Sequence, residues 1–177
     1  MPSFTKRAII ESFLRLVGKK PLEKITVRDI VDDCGINRNT FYYYFQDIYA
    51  VLEDVFHDMI GSLPDEETLG VTLAAFYRVL AAFCASHPSA AKNLAFSLGF
   101  EGLERYFSTD IDGVIMDCCV RVSKTVPAVM GIKILRHALL GLCLDTMRGN
   151  KDCPYDIGVL ERILSPLSEA VCRTDKN

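Results

Sequence analysis

The chain has 177 residues, 50% of them hydrophobic and 24% charged, with a formal net charge of −3 at pH 7. It is near the upper usual size of one domain and has ample apolar content for a packed core, which excludes disordered and low-complexity classes. The longest apolar stretches, around residues 69–85 and 132–147, are broken by Arg78 and by Lys133, Arg136 and Asp145, so no uninterrupted membrane span is expected. Met1 to Lys20 lacks the compact apolar centre of a secretory signal, and a cytoplasmic protein is the expectation.

Apolar spacings of three and four recur in nearly every segment and no alternating run reads as a strand, so the predicted fold class is all-α. A first helix is expected from about Thr5 to Val17, with Ala8, Ile9, Phe13, Leu16 and Val17 on one side, ended by Gly18 and Pro21. Thr26 caps a short second helix, Asp29 three residues on completes a capping box, and Val27, Ile30 and Val31 share a face. Gly35 stands where the chain must turn sharply, since glycine enters the left-handed region without steric cost. Asn37 caps the next helix, which runs to about Phe45 with Phe41 and Phe45 as its core pair. A fourth helix, about Asp47 to Ser62, carries Val51, Leu52, Val55, Met59 and Ile60, and Pro64 marks its end.

Leu69, Leu73, Phe76, Leu80 and Phe83 then predict a long helix that stops at His87-Pro88. Between Ser89 and Lys124, Gly99, Gly102 and Gly113 predict a break into shorter helices. Pro127 suits the first turn of a helix to about Arg148. Ile132, Leu135, Leu139 and Leu142 form one stripe on it and Leu140, Leu144 and Met147 another, which predicts cover on two sides. A last amphipathic helix, about Tyr155 to Cys172, presents Leu160, Ile163, Leu164, Leu167 and Val171, with Pro166 expected to kink or interrupt it. The seven cysteines, odd in number and without C-x-x-C spacing, read as reduced, mostly buried thiols. His57, His87 and His137 lack metal-ligand spacing and no G-x-S-x-G, phosphate-cradling loop or H-E-x-x-H occurs, so no enzyme, metal or cofactor is expected.

Charge is divided unevenly. Residues 1–46 hold eight Lys or Arg against five Asp or Glu, whereas residues 47–177 hold twelve against eighteen. That asymmetry points the amino-terminal segment at phosphate. Residues 26–45 read as a helix-turn-helix, and Thr26-Val27 with Ile30, Cys34-Gly35-Ile36, Thr40-Phe41-Tyr42, Tyr44-Phe45 and Val51-Leu52 occur in a characteristic order. In that order and at those intervals they resemble the DNA-binding domain of the TetR family of bacterial transcriptional regulators, over roughly residues 5–60.

The resemblance implies a TetR-like architecture: a three-helix DNA-binding domain over residues 1–46, and a larger helical ligand-binding and dimerisation domain over residues 47–177 whose linking helix is about 47–62. It implies a homodimer held through about residues 127–172 on a palindromic double-stranded operator, acting as a repressor released by a small-molecule effector. The alternative is a regulator or coactivator that works through a protein partner.

A helix over residues 37–45 fits the major groove with its amino end nearest the base edges, so Asn37, Arg38 and Asn39 face the bases, with Arg38 and Asn39 as the main readers. Arginine can grip guanine and asparagine adenine, each for about 1–3 kcal/mol of discrimination. Thr40 can meet a phosphate or a thymine methyl. Tyr42, Tyr43 and Tyr44 point about 100° apart in succession, so one short helix cannot bury all three. By the resemblance, Tyr42 donates its hydroxyl to phosphate and Tyr44 stands where the family often has a histidine with the same task. Thr26 and Arg28 add a backbone amide, a hydroxyl and a charge to the same strand. Ile48 departs from the family, which usually has a phosphate-contacting lysine there; Lys6 and Lys24 are the available substitutes. Phe76, Tyr77, Phe83, Phe96, Phe100, Tyr106, Met116 and His137 are candidates to line an effector pocket, with ordinary core packing as the competing role.

Overall fold

The computed structural model describes residues 4–63, 69–120, 129–149 and 157–172. These residues form α1 (Phe4–Val17), α2 (Val27–Cys34), α3 (Arg38–Tyr44), α4 (Ile48–Gly61), α5 (Leu69–Ser86), α6 (Pro88–Cys118), α7 (Val129–Arg148) and α8 (Ile157–Cys172), with no strand among them. The all-α expectation holds. The helix limits expected at Pro64, Pro127 and Tyr155 lie outside the described residues.

Helices α1 to α4 share one core because their apolar residues recur at three and four. Ile9, Phe13 and Val17 meet Ile30, Val31, Phe41, Phe45, Val51, Leu52 and Val55, each at most 6% exposed. The buried Ser12 of α1 lies 2.7 Å from Asp33 Oδ2 of α2, and Arg15 Nη2 donates to the same oxygen at 2.6 Å, so a polar clamp backs the apolar contact. Between α1 and α2 the chain makes a short 3-10 turn at Leu22–Lys24, which the periodicity does not foretell; Leu22 and Ile25 are buried by it.

Helix α6 bears out one of the three expected breaks and corrects the other two. It consists of two helical segments joined across a kink at Gly99, its single non-helical residue, at φ 62° and ψ −164°. Gly102 and Gly113 stay helical. A glycine costs a helix about 1 kcal/mol. Leu103, Phe107, Ile111 and Ile115, spaced by four and each at most 2% exposed, each gain about 1.5–3 kcal/mol from burial, which outweighs that cost. Gly99 survives as a break because its backbone lies in a region that only glycine enters freely.

Helix α7 packs on α6 and α5, and α8 packs on α5. Both predicted stripes of α7 are covered, Leu142 only partly. The third side of α7 is open: Met130 is 67% exposed and Ile134 57%, with Ala138 and Gly141 continuing the stripe. The expectation for α8 changes at one position. The helix is not interrupted at Pro166, and Ile163, predicted inward, is 55% exposed while Leu164 is buried. Helices α5 and α8 approach so closely that a Cβ added at Gly70 would lie 2.6 Å from Ser165 Oγ and 2.9 Å from Ser165 Cα.

Among the described cysteines, one departs from the expectation of reduced thiols. Cys34, Cys84, Cys118 and Cys143 are free, whereas Cys119 is disulfide-bonded. Adjacent helical residues point about 100° apart, so Cys118 and its bonded neighbour have different surroundings; Cys118 Sγ lies 3.8 Å from Thr72 Oγ1. Among the described residues no single helix is long and apolar enough to cross a membrane.

Candidate nucleic-acid interface

The helix-turn-helix is assembled by three local devices, each legible in the residues. Thr26 and Asp29 form the capping box: Asp29 N–H donates to Thr26 Oγ1 at 3.2 Å, and Thr26 N–H and O–H donate to Asp29 Oδ2 at 2.8 and 2.7 Å. Lys20 Nζ adds an ion pair to that oxygen at 2.9 Å. The Lys20 and Thr26 contacts hold the Asp29 carboxyl well below the usual range, at about 2. Gly35 closes α2 at φ 70°, ψ 30°. Asn37 caps α3, its Oδ1 accepting from Thr40 N–H at 2.8 Å and from Thr40 Oγ1 at 3.1 Å.

These bonds decide which groups remain for DNA. Thr26 spends both of its donors on Asp29, so its part is to fix α2; the spare amides are those of the first helical turn, as at any helix start. Arg28 is exposed, with Nε 3.5 Å from Asp32 Oδ2, an exposed pair that holds it weakly. Asn37, Arg38 and Asn39 are exposed at the amino end of α3, and Thr40 is half-buried. Phe41 is fully buried with its ring 6.0 Å from that of Phe45, the expected core pair. Tyr42 is 54% exposed and Tyr43 81%. Tyr44 is half-buried, edge-on to Tyr43 at 4.9 Å, and lines a cleft towards α6. One face of a two-turn helix therefore carries an arginine, two amides and two phenols into solvent.

Ile48 is turned into the core at 9% exposure, and Asp47 before it caps α4 by accepting from Tyr49 and Ala50 N–H at 2.8 and 2.9 Å. A cation is absent there because the position is used for packing. Lys6 does not stand in for it: its Nζ is 2.6 Å from Asp54 Oδ1 and 5.7 Å from the Phe45 ring centre. Lys24 is exposed.

The unit is tied to the rest of the chain through α6. Asn93 Nδ2 donates to Val17 O at 2.7 Å, and Ser97 Oγ accepts from Leu22 N–H at 3.2 Å and donates to Glu23 Oε2 at 3.2 Å. Sequence reading missed both residues; their only signal is polarity, which Ser89 and Lys92 beside them share.

Among the described residues the effector-pocket candidates have different surroundings, with Phe100 and His137 in contact. Phe76 and Tyr77 are buried core. Phe83 is partly buried 5.4 Å from the His87 ring, Phe96 is exposed, and Phe100 stacks on His137 at 5.6 Å. Met116 packs at the edge of the core. His137, expected among leucines, is half-exposed, with Nδ1 2.7 Å from Lys133 O and Nε2 3.7 Å from Glu104 Oε1. It falls on the open side of α7, between the two buried stripes. Of the set, only Tyr106 lines the cleft at the end of α3.

A short, capped helix with an exposed polar face, held over a compact three-helix core, is the DNA-reading half of a helix-turn-helix protein. Residues 9–55 match the family described as bacterial regulatory proteins, tetR family, and this amino-terminal domain belongs to it. An HTH-type transcriptional regulator of Bacillus subtilis, YxbF, is 29% identical over 59 residues, which are 33% of this chain and 16% of that protein. Solved structures extend the likeness to the whole fold. A TetR-family transcriptional regulator from Haemophilus influenzae superposes with a TM-score of 0.59 at 16% identity, covering 94% of this chain and 95% of that one. The fatty acid degradation regulator FadR from Bacillus halodurans gives 0.57 at 14% identity over 100% and 99%, and the dihydroxyacetone kinase operon activator DhaS gives 0.56 at 19% over 95% and 94%.

Proposed function

We propose that this chain is a sequence-specific transcriptional regulator that binds a palindromic operator as a homodimer and represses until a small-molecule effector releases it. The observation that carries the reading is the outward set Asn37, Arg38, Asn39, Tyr42 and Tyr43 on a helix whose ends and underside are fixed by caps and core. Residues 1–46 are the DNA-binding domain and residues 47–177 the regulatory and dimerisation domain.

Dimerisation is supported by the open apolar side of α7, Met130, Ile134, Ala138 and Gly141, beside Val159 and Ile163 of α8. Small residues at 138 and 141 allow a partner helix to approach, and a Cβ at Gly141 would meet nothing within 4 Å. A dimer also answers the small basic excess, since affinity grows with the number of phosphates neutralised and two copies double the footprint. Two half-sites about one DNA turn apart make binding sensitive to the spacing of the two α3 helices. An effector that prefers one spacing shifts the equilibrium by its differential affinity.

The test is selection of binding sites from fragmented genomic DNA at two salt concentrations. Enrichment of a palindromic site is expected; loss of all DNA at the higher salt with no enriched sequence overturns the reading. A second reading, regulation through a protein partner, is favoured by the buried Ile48, which removes a phosphate contact. Failure of the dimer to bind any duplex would favour it.

A further inference from the structure

The 3-10 turn Leu22–Lys24 has no cap of its own. Pro21 stands at its N-cap position, where a serine, threonine or aspartate side chain would accept from the first amides; its ring carries no acceptor, and no side-chain cap bond forms. The acceptor comes instead from α6, 75 positions further along the chain. Leu22 N–H donates to Ser97 Oγ at 3.2 Å, and Ser97 O–H donates to Glu23 Oε2 at 3.2 Å. A hydroxyl can both donate and accept, and this one spends both roles on a single turn. We infer that Ser97 is a positioning residue for DNA reading: it caps the turn from α6 and so fixes where α2 presents its phosphate-facing start.

The turn and the start of α2 form one piece. Only Ile25 separates Lys24 from Thr26, the N-cap of α2, and Ile25 N–H donates to Leu22 O at 3.0 Å. On the other flank Lys20 Nζ lies 2.9 Å from Asp29 Oδ2, the oxygen that also accepts from Thr26. Residues before and after the turn are therefore bound to the same capping box. Leu22 and Ile25 are each 3% exposed, which holds the turn to the core, but apolar contact is non-directional. The two hydrogen bonds of Ser97 supply the direction. What they aim is the exposed Lys24, the exposed Arg28 and the first-turn amides of α2, the groups available to one phosphate strand.

Ser97 lies in the segment of α6 that is bonded to this unit. Asn93, one turn earlier, donates to Val17 O at 2.7 Å, and the helix breaks at Gly99, two residues later. Beyond the break Phe100 and Glu104 meet His137 and Arg136 of α7. Ser97 is thus the last polar bond from α6 to the reading unit before the helix turns to α7.

The consequence for DNA rests on the proposed function; the cap itself is tested without DNA. Hydrogen exchange of the full chain is compared with that of Ser97→Ala, Ser97→Thr and Ser89→Ala, the last an exposed serine in the first turn of α6. Faster exchange of the amides from Leu22 to Asp29 is expected in Ser97→Ala alone, with α5 unchanged. Fluorescence anisotropy then follows an operator duplex selected with the unaltered chain, and a scrambled duplex. Ser97→Ala is expected to weaken both about three- to tenfold and to keep their ratio, whereas Ser97→Thr, which retains the hydroxyl, binds as the unaltered chain does. A hydroxyl with a purely structural role would lower the melting temperature and leave the affinity of the folded protein unmoved. Unchanged exchange in Ser97→Ala, an unchanged affinity for a duplex that the unaltered chain binds, or a Ser97→Thr variant that behaves as Ser97→Ala each overturns the inference. If the unaltered chain binds no duplex at all, the proposed function is what fails, and the exchange result alone then upholds or overturns the cap.

Discussion

Asn93 Nδ2 on α6 lies 2.7 Å from the carbonyl oxygen of Val17, the last residue of α1, across 76 positions of chain. The last carbonyls of a helix have no partner within it, so this amide completes α1 from outside. With Ser97 on the next turn of α6 holding Leu22 and Glu23, the reading unit is suspended from α6 by polar bonds beside its apolar contact. A shift of α6 is therefore transmitted to α1 and its packed neighbours as a change in directional bonds.

Replacing Asn93 with alanine leaves the Val17 carbonyl partly buried without a donor. The expected cost is about 1–3 kcal/mol of unfolding free energy, seen as a lower urea midpoint with an unchanged slope. An unaltered midpoint would mean that water takes over the bond and that the tether is apolar only.

The DNA-reading unit was legible in the sequence because its determinants are local. Thr26, Asp29, Gly35 and Asn37 act on residues within a few positions, and each cap forms as the spacing predicts. What lay beyond reading was set by contacts between distant elements. Whether Gly102 or Gly99 breaks α6 depends on the burial of Leu103 and Phe107 against neighbouring helices, and no local rule separates the two glycines. Aromatic residues at helical spacing look alike whether they line a cavity or fill a core, so Phe76 and Tyr106 could not be told apart. Lys6 appeared available for phosphate because its partner, Asp54, is 48 positions away.

Arg38 and Tyr42 should fail differently. Arg38→Ala is expected to relax preference at one base pair by about 1–3 kcal/mol, with a smaller loss on scrambled duplex. Tyr42→Phe removes a hydroxyl from an exposed phenol and should weaken cognate and scrambled DNA alike. Fluorescence anisotropy on both duplexes separates the two. Equal losses for Arg38→Ala would remove it from the base readers.

Gly70→Ala tests the seam between α5 and α8. The added methyl would sit 2.9 Å from Ser165 Cα and 3.0 Å from its backbone nitrogen, atoms that cannot swing away as a side-chain end can. Overpacking of this kind costs about 1–3 kcal/mol, and here it forces the helices apart. A calorimetric melting temperature lowered by several degrees is expected. Gly141→Ala, where an added Cβ meets nothing within 4 Å of the single chain, should leave the monomer's fold intact and alter only self-association, read by sedimentation.

Asp29 makes the capping box pH-dependent in a defined direction. Its carboxyl is held at about 2 by the Lys20 and Thr26 contacts, below the value of about 3.8 it takes when those contacts are absent. A carboxylate with a depressed folded pKa adds stability that is complete above its unfolded value and is lost as pH falls through its folded one. Stability from this group is therefore constant above about pH 4 and declines towards pH 2. Asp33, lowered by Ser12 and then Arg15, declines in the same direction, so both joints of α2 loosen together in acid. Asp29→Asn keeps an acceptor for Thr26 and removes the charge that meets Lys20. The stability gap between the unaltered chain and this variant should be flat at neutral pH and shrink between pH 4 and pH 2, as followed by urea unfolding at each pH. A gap that is constant across this window would show that Asp29 acts through its hydrogen bonds alone.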